Sequence, residues 1–199
     1  WPGASIPIFR DDYSQLRKTQ VREWHRRMHQ LGYELKVNWN ETNKEWRFKN
    51  PPDPRTGAPV PDTVIEFLHL DQSIGAEKWL STEWASLLVD EATQLPEDDL
   101  KLMYSRVRVP EELREYWTYL ADEREKAARE AGMTDPDDIK RVRCDWRPLA
   151  VYATNPGGKS HRYFKEDFVD ESNRHGGQVW DRTEDIEIDG EVITVKTRR

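Results

Sequence analysis

Ala85-Ser86-Leu87-Leu88-Val89-Asp90-Glu91 is the stretch whose reading decides the fold of this chain. Its apolar residues run without alternation, which predicts a strand buried on both faces, as in a parallel sheet covered by helices. Two adjacent acids close it, at the strand end where open α/β sheets place their ligands. A second run, Leu149 to Ala153, has the same character and leads into Thr154-Asn155-Pro156-Gly157-Gly158. A third, Ile6 to Phe9, ends in Arg10, and Asp11-Asp12 follows as a cap for the next helix.

The intervening segments supply the helices. Tyr13, Leu16, Trp24, Met28 and Leu31 form one apolar stripe at helical spacing, and Gly32 is a natural stop. Leu35 to Trp39 and Glu45 to Lys49 alternate apolar with polar across a polar turn, which predicts a hairpin. Residues 50–61 hold five prolines and form a loop before a strand at Val64 to Leu68. Leu113, Trp117, Leu120, Ala127 and Ala131 predict a long, charged helix from Pro110 that stops at Gly132, and Asp135-Pro136 opens a shorter one. Ile186 to Val195 reads as a hairpin turning at Asp189-Gly190. The whole is α/β: a mainly parallel sheet with helices on both faces, plus small β-hairpins.

Composition excludes several classes. The 199 residues suit one domain, with nine tryptophans to build a core. With 31 basic against 38 acidic side chains the net charge is −7, so the surface as a whole is no nucleic-acid footprint, though local basic loops remain open. Cys144 is the only cysteine, which rules out an internal disulfide and a cysteine-rich metal site. No run of about 20 apolar residues exists to span a membrane. The opening Trp1-Pro2-Gly3-Ala4 runs at once into an apolar stretch, and the N-terminus reads as a cut.

Three features can carry chemistry. The strand ending in Asp90-Glu91 has the form of a Walker B element: Asp90 would hold Mg²⁺ through a bound water, and Glu91 would orient and deprotonate an attacking water. A buried strand whose solvated end is acidic is the alternative reading. Ala153 to Ser160 matches the permissive phosphate-loop pattern, in which Gly158 lies in the loop, Lys159 would touch phosphates and Ser160 would ligate the metal. A glycine-rich turn before a helix explains the same residues, because this motif follows the acidic strand rather than opening the domain. Arg106 and Arg108, in Ser105-Arg106-Val107-Arg108, and Arg10 at its strand end are candidates for phosphate contact or plain surface cations.

Taken in order, Arg10, Ile65-Glu66-Phe67, Gly75-Ala76-Glu77, Leu88-Val89-Asp90-Glu91-Ala92-Thr93-Gln94, Ser105 to Arg108, and Ala153 to Gly158 with His161 resemble the ATPase domain of large terminase subunits over Ile6 to Asp170. The resemblance implies a P-loop NTPase-type fold, ATP and Mg²⁺ as cofactors, Asp90 and Glu91 as the catalytic acids, and Thr154-Asn155 as the motif that senses the γ-phosphate and couples hydrolysis to DNA movement. Lys159 and Ser160 would then be incidental. It further implies double-stranded DNA, a portal protein and a small terminase subunit as partners, a ring-shaped homo-oligomer, and a place in the host cytoplasm with transient docking on the procapsid. Residues 1–170 would be an ATPase fragment whose phosphate loop lies upstream, and residues 171–199 a linker and hairpin toward a nuclease domain. On that reading this polypeptide alone hydrolyses ATP poorly or not at all. Two other readings stay open: a permuted P-loop NTPase using Ala153 to Ser160, and a non-catalytic interaction module.

Overall fold

The computed structural model describes residues 1–70, 79, 81–147, 149–155 and 157–166, and the backbone of 181–188 and 191–198. Gly75-Ala76-Glu77, Pro156 and the Asp189-Gly190 turn lie outside the described residues.

Six strands form one sheet in the order β2-β3-β4-β1-β5-β6. β1 (Ser5–Arg10) pairs in parallel with β4 (Thr63–His69) on one side and β5 (Ser86–Val89) on the other, and β5 pairs in parallel with β6 (Leu149–Tyr152). β3 (Glu45–Phe48) joins β4 antiparallel and carries β2 (Trp39–Asn40) at the edge. The mainly parallel sheet expected from the unalternating apolar strands is therefore the fold. β7 (Asp181–Ile188) and β8 (Glu191–Arg198) form a separate antiparallel pair, longer than the hairpin expected.

The pleat divides the apolar side chains between two cores. Phe9, Leu87 and Val89 face Leu100 and Met103 of α4 (Glu97–Tyr104) and Tyr163 and Phe164 of α7 (His161–Phe164). Ile8, Ile65 and Phe67 face Leu16, Val21 and Met28, on the rod built from α1 (Tyr13–Leu16), a π-helical turn (Arg17–Val21) and α2 (Arg22–Gln30). Asp12 caps this rod by accepting from the Ser14 N–H at 2.7 Å. Gly32 ends it in a left-handed turn, where the Tyr33 N–H reaches back to the Met28 carbonyl at 3.0 Å. The π turn inserts one extra residue, so the buried positions step from Leu16 to Val21 to Met28. A regular helical stripe missed Val21 and placed Leu31 inside, whereas Leu31 is exposed.

Two further expectations change. Leu35 to Asn38 is a helical turn, α3 (Leu35–Asn38), and not a strand. Leu35 and Val37 are exposed, so no buried face selects the extended form there, and the Asn38 side chain donates to the Arg47 carbonyl at 3.0 Å instead. The long helix α5 (Glu111–Glu130) buries Tyr116, Trp117, Ala121 and Ala128, while Ala127 and Ala131 face solvent. It packs on Ala4 and Ala85, at the amino ends of β1 and β5. The Trp117 indole N–H donates to the Pro2 carbonyl at 2.7 Å. α6 (Pro136–Arg143), capped by Asp135, packs on α5, so the charged segment sits away from the acidic strand end.

Candidate active site

The carboxyl ends of three neighbouring parallel strands, β1, β5 and β6, bring Arg10, Asp90, Glu91, Thr154 and Asn155 to one end of the sheet. The main chain fixes the first two strands there, because the Asp90 N–H donates to the Phe9 carbonyl at 2.8 Å. Arg10 is nearly enclosed, its side chain 7% exposed, and its guanidinium spans both acids: Nη1 lies 3.0 Å from Asp90 Oδ2 and Nη2 lies 2.6 Å from Glu91 Oε1. A charged side chain so buried is tolerated when paired and hydrogen-bonded. Three charges in contact, one positive and two negative, leave the cluster net negative.

The π turn completes it. Thr19 Oγ1 accepts from Arg10 Nη1 at 3.3 Å, and Gln20 Nε2 donates to Asp90 Oδ2 at 3.1 Å. Neither residue stands out in the sequence. The signal that could have found them is the five-residue step between the buried Leu16 and Val21, since π turns concentrate at functional sites.

Glu91 sits in the left-handed region, φ 51° and ψ 43°, a conformation that costs a non-glycine residue energy and that clusters at active sites. It turns the chain out of β5 into a short 3₁₀ turn, Ala92–Gln94, which is stitched to the loop after β6. The Ala92 N–H donates to the Ala153 carbonyl at 2.9 Å, and the buried Thr93 Oγ1 donates to the Asn155 carbonyl at 3.1 Å. The Ser160 N–H donates to the Thr93 carbonyl at 3.0 Å, and the Gly157 N–H to His161 Nδ1 at 3.2 Å.

The remaining candidates fall as follows. Thr154, Asn155 and Lys159 are exposed at the acidic end. Ser160 is buried, and its hydroxyl donates to the Leu95 carbonyl, so the side chain that a phosphate loop would offer to a metal is turned into the protein. The helix it opens, α7, has four residues. Gly158, with φ +94°, packs directly on the Thr93 carbonyl. That makes the glycine-rich turn a fastener between two loops. Arg106 and Arg108 lie at the end of β5 opposite the acids: Val107 bridges Trp84, which precedes β5, and Arg108 pairs with Glu83 at 2.8 Å. Six residues of extended chain, about 20 Å, separate Trp84 from Asp90.

The acid pair fits a magnesium-bound nucleotide in one respect. Both donors to Asp90 use Oδ2, so Oδ1, on a side chain 18% exposed, keeps its lone pairs for a metal-bound water. Arg10 likewise holds Glu91 by Oε1 and leaves Oε2, on a side chain 34% exposed. Magnesium needs only one or two protein carboxylates when phosphate oxygens complete its shell, so the lack of any group of three or more potential metal ligands among the described residues is compatible with it.

No protein-family model and no curated protein matches this sequence. Among solved structures, the chain is similar to the large terminase of a thermophilic bacteriophage, with TM-score 0.53 at 12% identity over 87% of this chain and 31% of that one. The same terminase in complex with ADP gives TM-score 0.53 at 14% identity over 87% of this chain and 31% of that one. In a further crystal of that terminase the values are 0.50, 12%, 87% and 30%. At such identities the likeness is one of fold, and this chain, spanning 31% of the length of the structures it matches, has the fold of one part of a large terminase.

Proposed function

We infer that this chain is the acid-bearing part of an ATP-hydrolysing motor core of the large-terminase kind, in which hydrolysis drives movement of double-stranded DNA into a capsid. The observation that carries the reading is the Asp90-Glu91 pair at the end of β5, tied through Thr93 to the Thr154-Asn155 loop, within a fold shared with a terminase solved with ADP.

Bound Mg²⁺ and ATP would supply the scissile phosphoanhydride and the neutralising charge. Asp90 Oδ1 would hold a metal-bound water, while Arg10 and Gln20 fix the carboxylate by its other oxygen. Glu91 Oε2 would orient the attacking water and take its proton, with Arg10 anchoring Oε1. Thr93 clamps the Glu91 turn to the loop bearing Thr154 and Asn155, so a shift of one is felt by the other. This link gives the coupling role of Thr154-Asn155 a mechanical path.

The phosphate cradle must come from elsewhere, since Ser160 is turned inward. Among the described residues β6 is the last strand of the sheet, so its outer main chain offers an edge on which a further parallel strand bearing a phosphate loop would pair. Such an addition would also cover the exposed face of Leu149 and Val151. A portal protein, a small terminase subunit, a ring of copies and transient procapsid docking follow from the same reading. No helix among the described residues is long and apolar enough to cross a membrane.

The test compares Mg²⁺-dependent ATP turnover of the 199-residue chain with a version extended at its N-terminus into its source gene. Turnover by the extended version alone, silenced by Glu91→Gln with nucleotide binding retained and untouched by Lys159→Ala, is the expected result. Turnover unchanged in Glu91→Gln would leave a non-catalytic module. Turnover by the short chain, stopped by Lys159→Ala, would restore the permuted phosphate loop.

A further inference from the structure

The rod that supplies Thr19 and Gln20 to the acid pair presents a different chemistry to solvent. Residues 13–30 carry Arg17, Lys18, Arg22, Arg26 and Arg27 against the single acid Glu23, whereas the rest of the chain holds 26 basic and 37 acidic side chains. A cationic segment in an otherwise acidic protein is a local feature that the net charge hides. Lys18, Arg22 and Arg26, four residues apart, are exposed on the side away from the buried Leu16, Val21 and Met28, and His29 extends the row.

The local acids do not cancel this charge. Glu23 binds Arg26 at 2.5 Å and Arg27 at 2.9 Å, which draws its carboxyl down to about 2, so one negative charge is shared by two arginines. Arg17 reaches Glu41 at 3.8 Å, and Glu41 also holds Lys44 at 2.6 Å.

We propose that this face of the rod is a docking surface for the phosphate backbone of duplex nucleic acid. Four-residue steps along a helix put successive cations about 6 Å apart, close to twice the ~3.4 Å axial spacing of phosphates along one strand. Among Lys18, Arg22 and Arg26 there is no aromatic ring, and the row's single ring, that of His29, lies at its end, too little of a stacking platform for successive bases of a single strand. The apolar stripe of the rod, Leu16, Val21 and Met28, is already buried against the sheet, and the exposed Leu31, Leu35 and Val37 lie beyond its C-terminal end, so the cationic row has no apolar face of its own to lay into a lipid bilayer. Contacts to phosphate carry no sequence information, so binding is independent of sequence and steep in salt. The partner deepens the motor reading above and rests on it for identity. The surface also has a consequence for that site: the same rod grips the polyanion on one face and holds Arg10 and Asp90 through Thr19 and Gln20 on another.

The test is fluorescence anisotropy of a labelled 30-base-pair duplex, roughly the length that spans three helical turns, titrated with the 199-residue chain at several salt concentrations. The variant Lys18→Gln/Arg22→Gln/Arg26→Gln should lose at least about tenfold in affinity, and its salt slope should fall by about 2.7, or 0.9 per phosphate. The control Arg114→Gln/Arg124→Gln/Lys126→Gln, on the exposed face of α5, should bind as the parent does, with circular dichroism confirming that both fold. No binding by the parent, equal loss in the control, an unchanged first variant, or equal capture by phosphatidylserine vesicles would each overturn the surface. Glu91→Gln must leave duplex binding intact, so failure of the hydrolysis reading and failure of this surface are told apart.

Discussion

Arg10 Nη2 lies 2.6 Å from Glu91 Oε1, joining the end of β1 to the residue that leaves β5 in a left-handed turn. The same guanidinium reaches Asp90, so one buried cation keeps two adjacent carboxylates in place. Removing it strands like charges beside each other at the end of the sheet. Arg10→Ala should therefore destabilise the fold by about 3 kcal/mol, the scale for breaking a buried ion pair from one side. Urea unfolding measures it, and Arg10→Lys should recover only part, since an ammonium cannot span both acids in the plane of a fork.

Gly158 tests the fastener between the two loops. A Cβ there would collide with the Thr93 carbonyl oxygen, and the backbone φ is +94°. At Gly157 the φ is +95° but nothing lies within 4 Å of the added atom. Both alanine variants carry the backbone strain of about 1 kcal/mol or more, but only Gly158→Ala adds a collision with main chain. Gly158→Ala should lower the thermal midpoint clearly more than Gly157→Ala. Equal shifts would mean that the Thr93 contact does not hold the loops together.

Glu66 gives a pH dependence. It lies on β4 opposite Glu45, and burial pushes its carboxyl above the ordinary range, offset in part by the Ser5 hydroxyl donating at 3.2 Å. The folded state holds this proton more tightly than the unfolded state. Its contribution is fully present below the unfolded value near 4.5 and is lost as pH rises through the folded value. Glu66→Gln should thus be more stable than the parent at pH 7 and lose that advantage by pH 4, read from urea midpoints at the two pH values.

The chain's local chemistry determined much of this. Unalternating apolar runs at Ile6 to Phe9 and Leu87 to Val89 favour a parallel sheet covered on both faces, and the acids at 90 and 91 fall at its carboxyl edge. Leu149 to Tyr152 joins the same parallel sheet, but at its edge, where Leu149 and Val151 are exposed rather than buried. Caps such as Asp12 and Asp135, and the stop at Gly32, act within a few residues and are legible for that reason.

What only the tertiary structure decided depends on partners far away in sequence. Arg10 is 80 residues from Asp90, and no local pattern announces that they pair. Arg106 and Arg108 carry the same charge as Arg10 but sit at the opposite end of β5, a difference set by the return of α4 along the sheet. Ser160 has the spacing of a metal ligand, yet its hydroxyl turns to Leu95 because the loop after β6 closes on the loop after β5. Residue type and spacing state what a side chain can do. Which end of the sheet it reaches, and which group 60 or more residues away satisfies it first, is set by how the strands and helices pack.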